Sequence, residues 1–461
     1  MKLLYKSILT SLIAGSTFFA GAQNSKTAKE PYFRDWKISG KVTNDKIVYS
    51  AGEPVEFVFE VRDAKGKYVK TDYLQLVTKK DGDPQKTELF PMAGNNPFKR
   101  TLTLGKPGQI ELNVKVCADI PGKGHKASLY RRNEKGSKED LQFGSGVLFD
   151  FKEIKPGVPE PEDFDAFWKA QIEADKALPF KVIEKRLVAT TKENVRIYSL
   201  ILNAPVGNVH AEMSIPAKAE DDPSVKLPIW VLGQAYGIAS AKTWPWPGMI
   251  TITVNSHDID NYGTREYYRD LGKNKLRNYA FDKKTNSDPK TAYFHGMIMR
   301  DYRAVRYLTT LPQWNGKIRF YGHSQGGFRS VVLGGLFPET VSVKAGVPWS
   351  NDLGGVLAGR SPRWRPEYTP ALRYFDPCYH AKRIRNAEVV IAAGMIDTAC
   401  QAAGITALFN NLPDSTPFKK LILYQHVGHS IPWTPKGFRY EYTVRNGKEA
   451  GKLIPAEAGT R

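Results

Sequence analysis

The sequence predicts an α/β fold, a doubly wound and largely parallel sheet, preceded by a small all-β sandwich. Three observations carry this. From about residue 186 onward, short apolar runs such as "LPIWVL", "MITITV", "AEVVIAAG" and "KKLILYQ" alternate with helical segments, the pattern of strands joined by crossover helices. Before residue 152 the apolar residues recur at period two instead. And "KIRFYGHSQGGFRSVVLGGLF" sets a glycine-rich turn between a strand and a helix.

Taken in order, "MKLLYKSILTSLIAGSTFFAGA" opens with Lys2 and Lys6, continues with an apolar run from Ile8 to Phe19, and ends in the small-x-small string Ala20-Gly21-Ala22. This is the pattern of an export leader over residues 1–22, cut before Gln23. The run falls short of the ~20 apolar residues that a membrane span needs. The expectation is an exported protein, periplasmic or extracellular, without a membrane span.

Residues 33–152 read as an Ig-like β-sandwich. "PVEFVFEVRD" places Val55, Phe57, Phe59 and Val61 on one face, and "QIELNVKVCAD" does the same with Ile110, Leu112, Val114 and Val116. One apolar face at period two marks a half-buried strand. "DAKGK", "KKDGD" and "GKPGQ" supply the turns. No catalytic cluster stands out in this stretch, and a packing or spacer role is expected. Residues 153–185 form a linker and a leading helix. Pro156, Pro159 and Pro161 stiffen the linker, and Phe164, Phe167, Trp168 and Ile172 follow at helical spacing. Residues 186–461 form the catalytic part, its strands apolar nearly throughout, as parallel strands covered on both faces require.

The formal charge is +20, or +18 once Lys2 and Lys6 are removed. Lysines and arginines are spread along the chain, and no nucleic-acid motif occurs, so a solvated basic surface is expected rather than a nucleic-acid partner. Of the three cysteines, Cys117, Cys378 and Cys400, at least one must be free, and Cys378 with Cys400 is the pair an oxidising compartment could bridge. No Cys/His spacing marks a zinc site, so neither metal nor cofactor is expected.

Gly322-His323-Ser324-Gln325-Gly326 spells G-x-S-x-G. With a strand entering and a helix leaving, Ser324 would stand exposed on a sharp turn above the carboxyl end of the sheet, as in α/β-hydrolases. A serine hydroxyl needs a base and the base an orienting acid; in this fold they follow in the order Ser, Asp/Glu, His. The loop after "AEVVIAAGMI" presents Asp397, and the loop after "KKLILYQ" presents His426 and His429. His429, further out and behind Gly428, is preferred. Asp352 in "VPWSNDLGG" is the rival acid, and His323 is expected to pack. The N–H of Gln325 gives one oxyanion donor; Gln234, Ala235 or Tyr236 gives the other, with Tyr236 preferred. Trp244 and Trp246 in "AYGIASAKTWPWPGM" are candidates to stack on sugar rings, because flat aromatic faces bury C–H surface.

"PEDFDAFWKAQIEA", "MRDYRAVRYLTTLPQWNGKIRFYGHSQGG", "LRYFDPCYHAKRIRNAEVVIAAGMIDTACQ" and "LILYQHVGH" resemble the acetyl xylan esterases that include cephalosporin-C deacetylases. The resemblance covers most of the second half. It implies Ser324, Asp397 and His429 as the triad, removal of acetyl groups from sugars, and no cofactor. The chain departs from the family at Asn255-Ser256-His257, where Arg-Gly-Gln is usual, at His429-Ser430, where His-Glu is usual, and in its leading β-domain. The function expected is a serine carbohydrate esterase acting on acylated polysaccharide or oligosaccharide. The alternatives are a methylesterase of uronic-acid (pectin-like) polymers and a non-catalytic glycan-binding protein.

Overall fold

A computed structural model describes residues 31–120, 126–431 and 438–455; the expected leader over residues 1–22 lies outside the described residues. Its all-β part pairs Lys37–Val42, Val55–Arg62 and Phe98–Leu102 into one sheet. A second sheet orders Val48–Tyr49, Gln142–Phe149, Gly108–Asp119, Tyr73–Lys80 and Lys86–Pro91. The period-two residues Phe57, Phe59, Val61, Ile110, Leu112, Val114 and Val116 meet between the sheets in a core of their own.

The second part is built on one sheet of 11 strands. These are β1 (Val182–Thr190), β2 (Val195–Asn203), β3 (Asn208–Pro216), β4 (Leu227–Gly233), β5 (Ile250–Val254) and β6 (Trp314–His323). They continue as β7 (Thr340–Gly346), β8 (Glu388–Gly394), β9 (Phe418–Tyr424), β10 (Arg439–Arg445) and β11 (Lys448–Ile454). The spatial order is β1-β2-β3-β5-β4-β6-β7-β8-β9-β10-β11. From β5 to β9 every neighbouring pair is parallel, and the flanking strands are antiparallel. The order reverses between β5, β4 and β6, and a sheet of this kind opens a crevice at the carboxyl ends of the strands at such a switch point.

Four helices anchor the layer: α1 (Phe164–Ala177), α2 (Tyr293–Leu308), α3 (Gln325–Leu336) and α4 (Ala402–Asn410). Phe294, Met297 and Ile298 of α2 and Phe328, Val331 and Val332 of α3 join Ile229, Val231, Ile252, Phe320, Val343 and Ile391 of the sheet in a single core. The other face of the central strands differs from the expectation. In β6, Ile318 and Phe320 are buried while Arg319 and Tyr321 are half-buried. The alternation Ile-Arg-Phe-Tyr gives the physical reason, since Arg and Tyr tips need polar company. Between β4 and β5 an irregular segment lays Trp244 and Trp246 against Trp230, and Trp244 also against Tyr321.

A buried ion pair ties α2 to α3. Arg329 donates to both oxygens of Asp301, to Ser256 Oγ at 2.9 Å and to Val254 O at 2.8 Å. Removing one partner of such a pair strands a charge. Asp301→Ala is therefore expected to cost about 3–5 kcal/mol of stability, read as a lowered urea midpoint; an unchanged midpoint would show that the pair is energetically neutral.

Candidate active site

Ser324 follows β6 directly and precedes the first turn of α3, with φ 56° and ψ −120°. A non-glycine residue is held there only when its surroundings over-determine it. Ser324 N–H donates to Gly346 O at 2.9 Å, and Trp349 N–H donates to Ser324 O at 3.0 Å. The turn also needs backbone against backbone. A Cβ on Gly322 would lie 2.2 Å from Gly326 O, and one on Gly326 would lie 2.2 Å from Gly233 O. The serine thus sits at the switch point, between β4 and β6.

Asp397 and His429 come from the loops after β8 and β9. His429 Nδ1 donates to Asp397 Oδ2 at 2.9 Å, and Asp397 Oδ1 accepts from the N–H groups of Ala399 at 2.7 Å and Cys400 at 3.0 Å. The carboxylate is fully buried while the His429 side chain is 37% exposed, so the acid orients a ring open to a ligand. The two loops interlock: a Cβ on Gly394 would meet Gly428 O at 2.1 Å, and Ile396 N–H donates to Val427 O at 3.2 Å. The Cys400 thiol beside Asp397 is buried, and burial with the neighbouring carboxylate pushes its pKa up. Donor atoms of Asp397, Cys400 and His429 lie within 4.8 Å of one another, a grouping produced by the acid–histidine link, in which both Asp397 oxygens are already acceptors. Cys117, Cys378 and Cys400 are all free and buried.

The rival residues are engaged elsewhere. Asp352 is buried against Arg360 and accepts from Gly157 N–H at 2.7 Å. His426 turns toward the sandwich, its Nδ1 3.2 Å from Gly144 O and its ring 4.9 Å from that of Phe143. His323 does pack, but against His429, with ring centroids 5.3 Å apart; burial and the neighbouring His429 lower its pKa.

Gln325 is the first residue of α3, where a backbone N–H has no carbonyl of its own helix to reach. Its side chain is fully buried; Nε2 donates to Ser256 Oγ at 2.8 Å and Oε1 accepts from the Tyr279 hydroxyl at 3.3 Å. Tyr236, three residues beyond β4, stacks on Tyr279 with centroids 4.2 Å apart and meets Trp349 and Trp364 edge-on at 5.4 and 4.6 Å. This cluster was missed in the sequence. Trp364 is 47% exposed, and its N–H donates to Thr398 O beside the acid. Trp349 in "VPWSND", just past the strand after the elbow, was the available signal. Trp244 and Trp246 make their ring contacts with Trp230 and Tyr321 rather than with this cluster.

The sandwich reaches the site as well. Gln109 Nε2 donates to Met395 O at 2.8 Å and its Oε1 accepts from Ala403 N–H at 3.0 Å, so one amide bridges both ends of the acid loop. Asp81 holds the same place, accepting from Gln401 Nε2 at 2.8 Å and from Gln109 N–H at 3.0 Å. A spacer would not need such contacts.

Strand order, strained serine turn and the acid and histidine loops define an α/β-hydrolase. The comparisons narrow the class. Residues 146–358 match the family model for acetyl xylan esterase (AXE1), so the resemblance seen in the sequence stands. The acetyl esterase Axe7A of Xylanibacter ruminicola is 29% identical over 271 residues, 54% of this chain and 59% of that protein; the chain thus spans about three-fifths of that relative's length. Two solved structures are similar over 61% of this chain: acetyl xylan esterase 1 from Thermoanaerobacterium sp. JW/SL YS485 (17% identity, TM-score 0.49, 93% of that chain) and the acetyl xylan esterase from Paenibacillus sp. R4 (20%, 0.48, 94%).

Gln109→Ala should free the acid loop without dismantling either core. Amide hydrogen exchange across residues 395–403 is the measurement: protection there should fall more than in β8 itself, and equal protection in both proteins would show that the bridge is idle.

Proposed function

We propose that the chain is an exported serine esterase that removes acetyl groups from acylated polysaccharide or oligosaccharide. The observation that carries this reading is the 2.9 Å link from His429 Nδ1 to Asp397, set beside a serine held on a strained strand–helix turn. The family match and the printed name of the Xylanibacter ruminicola relative support the acetyl side of it. The leader-like residues 1–22 support export, and among the described residues no helix is long and apolar enough to cross a membrane.

In the proposed cycle Ser324 Oγ attacks the acetyl carbonyl as His429 Nε2 takes its proton. Asp397 fixes the imidazole with Nδ1–H toward the carboxylate and stabilises the imidazolium. The N–H of Gln325 and that of Tyr236 receive the oxyanion. The sugar oxygen leaves with the proton from His429, and water then repeats the sequence on the acetyl-enzyme. Trp364, with Tyr236 and Phe281 against it at 4.6 and 5.1 Å, offers the half-exposed flat face for a sugar ring.

Ser324→Ala should leave a folded protein with p-nitrophenyl acetate turnover lowered by several powers of ten. Turnover near that of the parent enzyme would refute the nucleophile. Acetate release from acetylated xylan, with no methanol from methylated pectin, separates this reading from the methylesterase one.

Trp364→Ala should raise KM on acetylated xylan and change p-nitrophenyl acetate hydrolysis little, because the small ester needs only the triad and the oxyanion donors. Equal losses on both substrates would mean that the ring only packs.

A further inference from the structure

A cavity of about 230 Å³ is lined by residues that include none of Ser324, Asp397 and His429. That is far more than the ~30 Å³ a single water occupies. It sits at the N-terminus of α2, a helix of 16 residues whose cap, Ala292, offers no side-chain acceptor and whose first turn carries no acid. The positive end of the helix dipole is therefore uncompensated by the chain.

Arg300 is the independent observation. It lies nearly two turns into α2, and its side chain leans back toward that N-terminus, as helical side chains do. A Cβ on Gly296 would lie 3.1 Å from its Nη1, so the glycine leaves the arginine room to lie there. Arg300 is only 6% exposed. Its two hydrogen bonds go to carbonyls, Nη2 to Ser256 O at 2.6 Å and Nη1 to Val206 O at 3.4 Å. Nε has no acceptor, and among the described residues no carboxylate lies within ion-pair distance of the guanidinium. A buried guanidinium without a counter-ion is costly, and burial lowers its pKa.

The remaining walls fit the same reading. Lys275 and Lys290 stand exposed at the rim. Asp258, the acid among the lining residues, is hydrogen-bonded to His210 at 3.1 Å. His257 brings no charge: burial pushes its pKa down to about 4. Its Nε2–H donates to Gly237 O at 3.1 Å, and its Nδ1 accepts from the Tyr293 hydroxyl at 2.6 Å. Val206, Ile259 and Leu276 supply apolar surface, which suits a carbon skeleton better than a hydrated inorganic ion. An arginine edge suits a planar carboxylate.

We propose that this cavity is a binding site for a small organic carboxylate of sugar-acid size, its carboxylate held by Arg300 and the α2 N-terminus and its charge drawn in by Lys275 and Lys290. The site is separate from Ser324 and does not rest on the esterase reading.

The test is calorimetric titration of the full chain with sodium D-glucuronate, with D-glucose and sodium sulfate as comparisons. Saturable glucuronate binding is expected, with no binding of glucose and weaker binding of sulfate. Lys275→Ala/Lys290→Ala, confined to exposed residues, should fold and weaken glucuronate binding by roughly tenfold or more, the worth of a charge-assisted contact. Arg300→Gln should weaken it at least as much; if that variant fails to fold, the lysine variant decides. Absence of saturable binding, glucose binding equal to glucuronate, sulfate binding more tightly, or an unchanged lysine variant would each overturn the proposal.

Discussion

Backbone contact without intervening side chains, between Gly322, Gly326 and Gly233, is the constraint on which the site rests. The closest approaches a Cβ would have to survive there are 2.2 Å, well inside van der Waals contact. Because no side chain intervenes, α3 can start directly against the ends of β4 and β6. That start fixes three things at once. It holds Ser324 at a positive φ, it sets Gln325 at the first helical position, where its N–H has no carbonyl of its own helix to reach, and it brings the end of β4, with the Tyr236 segment behind it, alongside Ser324. The proposed nucleophile and the proposed oxyanion donors are thus one geometric unit rather than separately placed parts.

His429 and Asp397, the proposed base and acid, are positioned by a different device. Their loops are seated on each other through Gly394 and Gly428 and are then braced from outside by the sandwich, through Gln109 and Asp81. The leading all-β part is therefore in direct contact with the loop that carries Asp397. Most of its apolar residues form a core of their own, but Ile47 and Leu148, with Phe151 just beyond, are buried in the core of the large sheet, so the two parts meet through apolar packing as well as through hydrogen bonds.

The α/β class, the leading β-region and the strand–turn–helix around Ser324 were legible because each is a local pattern: period two, alternating apolar runs, glycines flanking a serine. The pairing of Asp397 with His429 followed from strand-end order. What stayed hidden depends on tertiary approach. Gln109 lies in an ordinary strand pattern, and nothing local marks its amide as a bridge 286 residues along the chain. The cluster of Tyr236, Trp349 and Trp364 was passed over for a related reason. Trp244 and Trp246 follow β4 in sequence, as a site loop should, but Trp230 and Tyr321 beneath them needed covering. The half-covered face was readable in the Ile-Arg-Phe-Tyr alternation of β6, yet the apolar runs around it suggested strands buried on both sides.

The segment after β7 shows where strain has been concentrated. Val347, Ser350 and Asp352 all have positive φ, at 38°, 53° and 47°, and for a β-branched residue such a value is a genuine outlier. Each such residue costs on the order of 1–3 kcal/mol and persists only where the surroundings over-determine it. Here they do. Val347 N–H donates to Ala392 O at 2.8 Å and Trp349 N–H to Ser324 O at 3.0 Å. Further on, the N–H groups of Asp352 and Leu353 donate to the two oxygens of buried Asp376 at 2.9 and 2.7 Å. The contorted path delivers the Trp349 ring to the cluster of Tyr236, Phe281 and Trp364 while its backbone clamps the elbow. The strained Ser324 turn and the aromatic wall beside it are thus coupled through a single residue, Trp349.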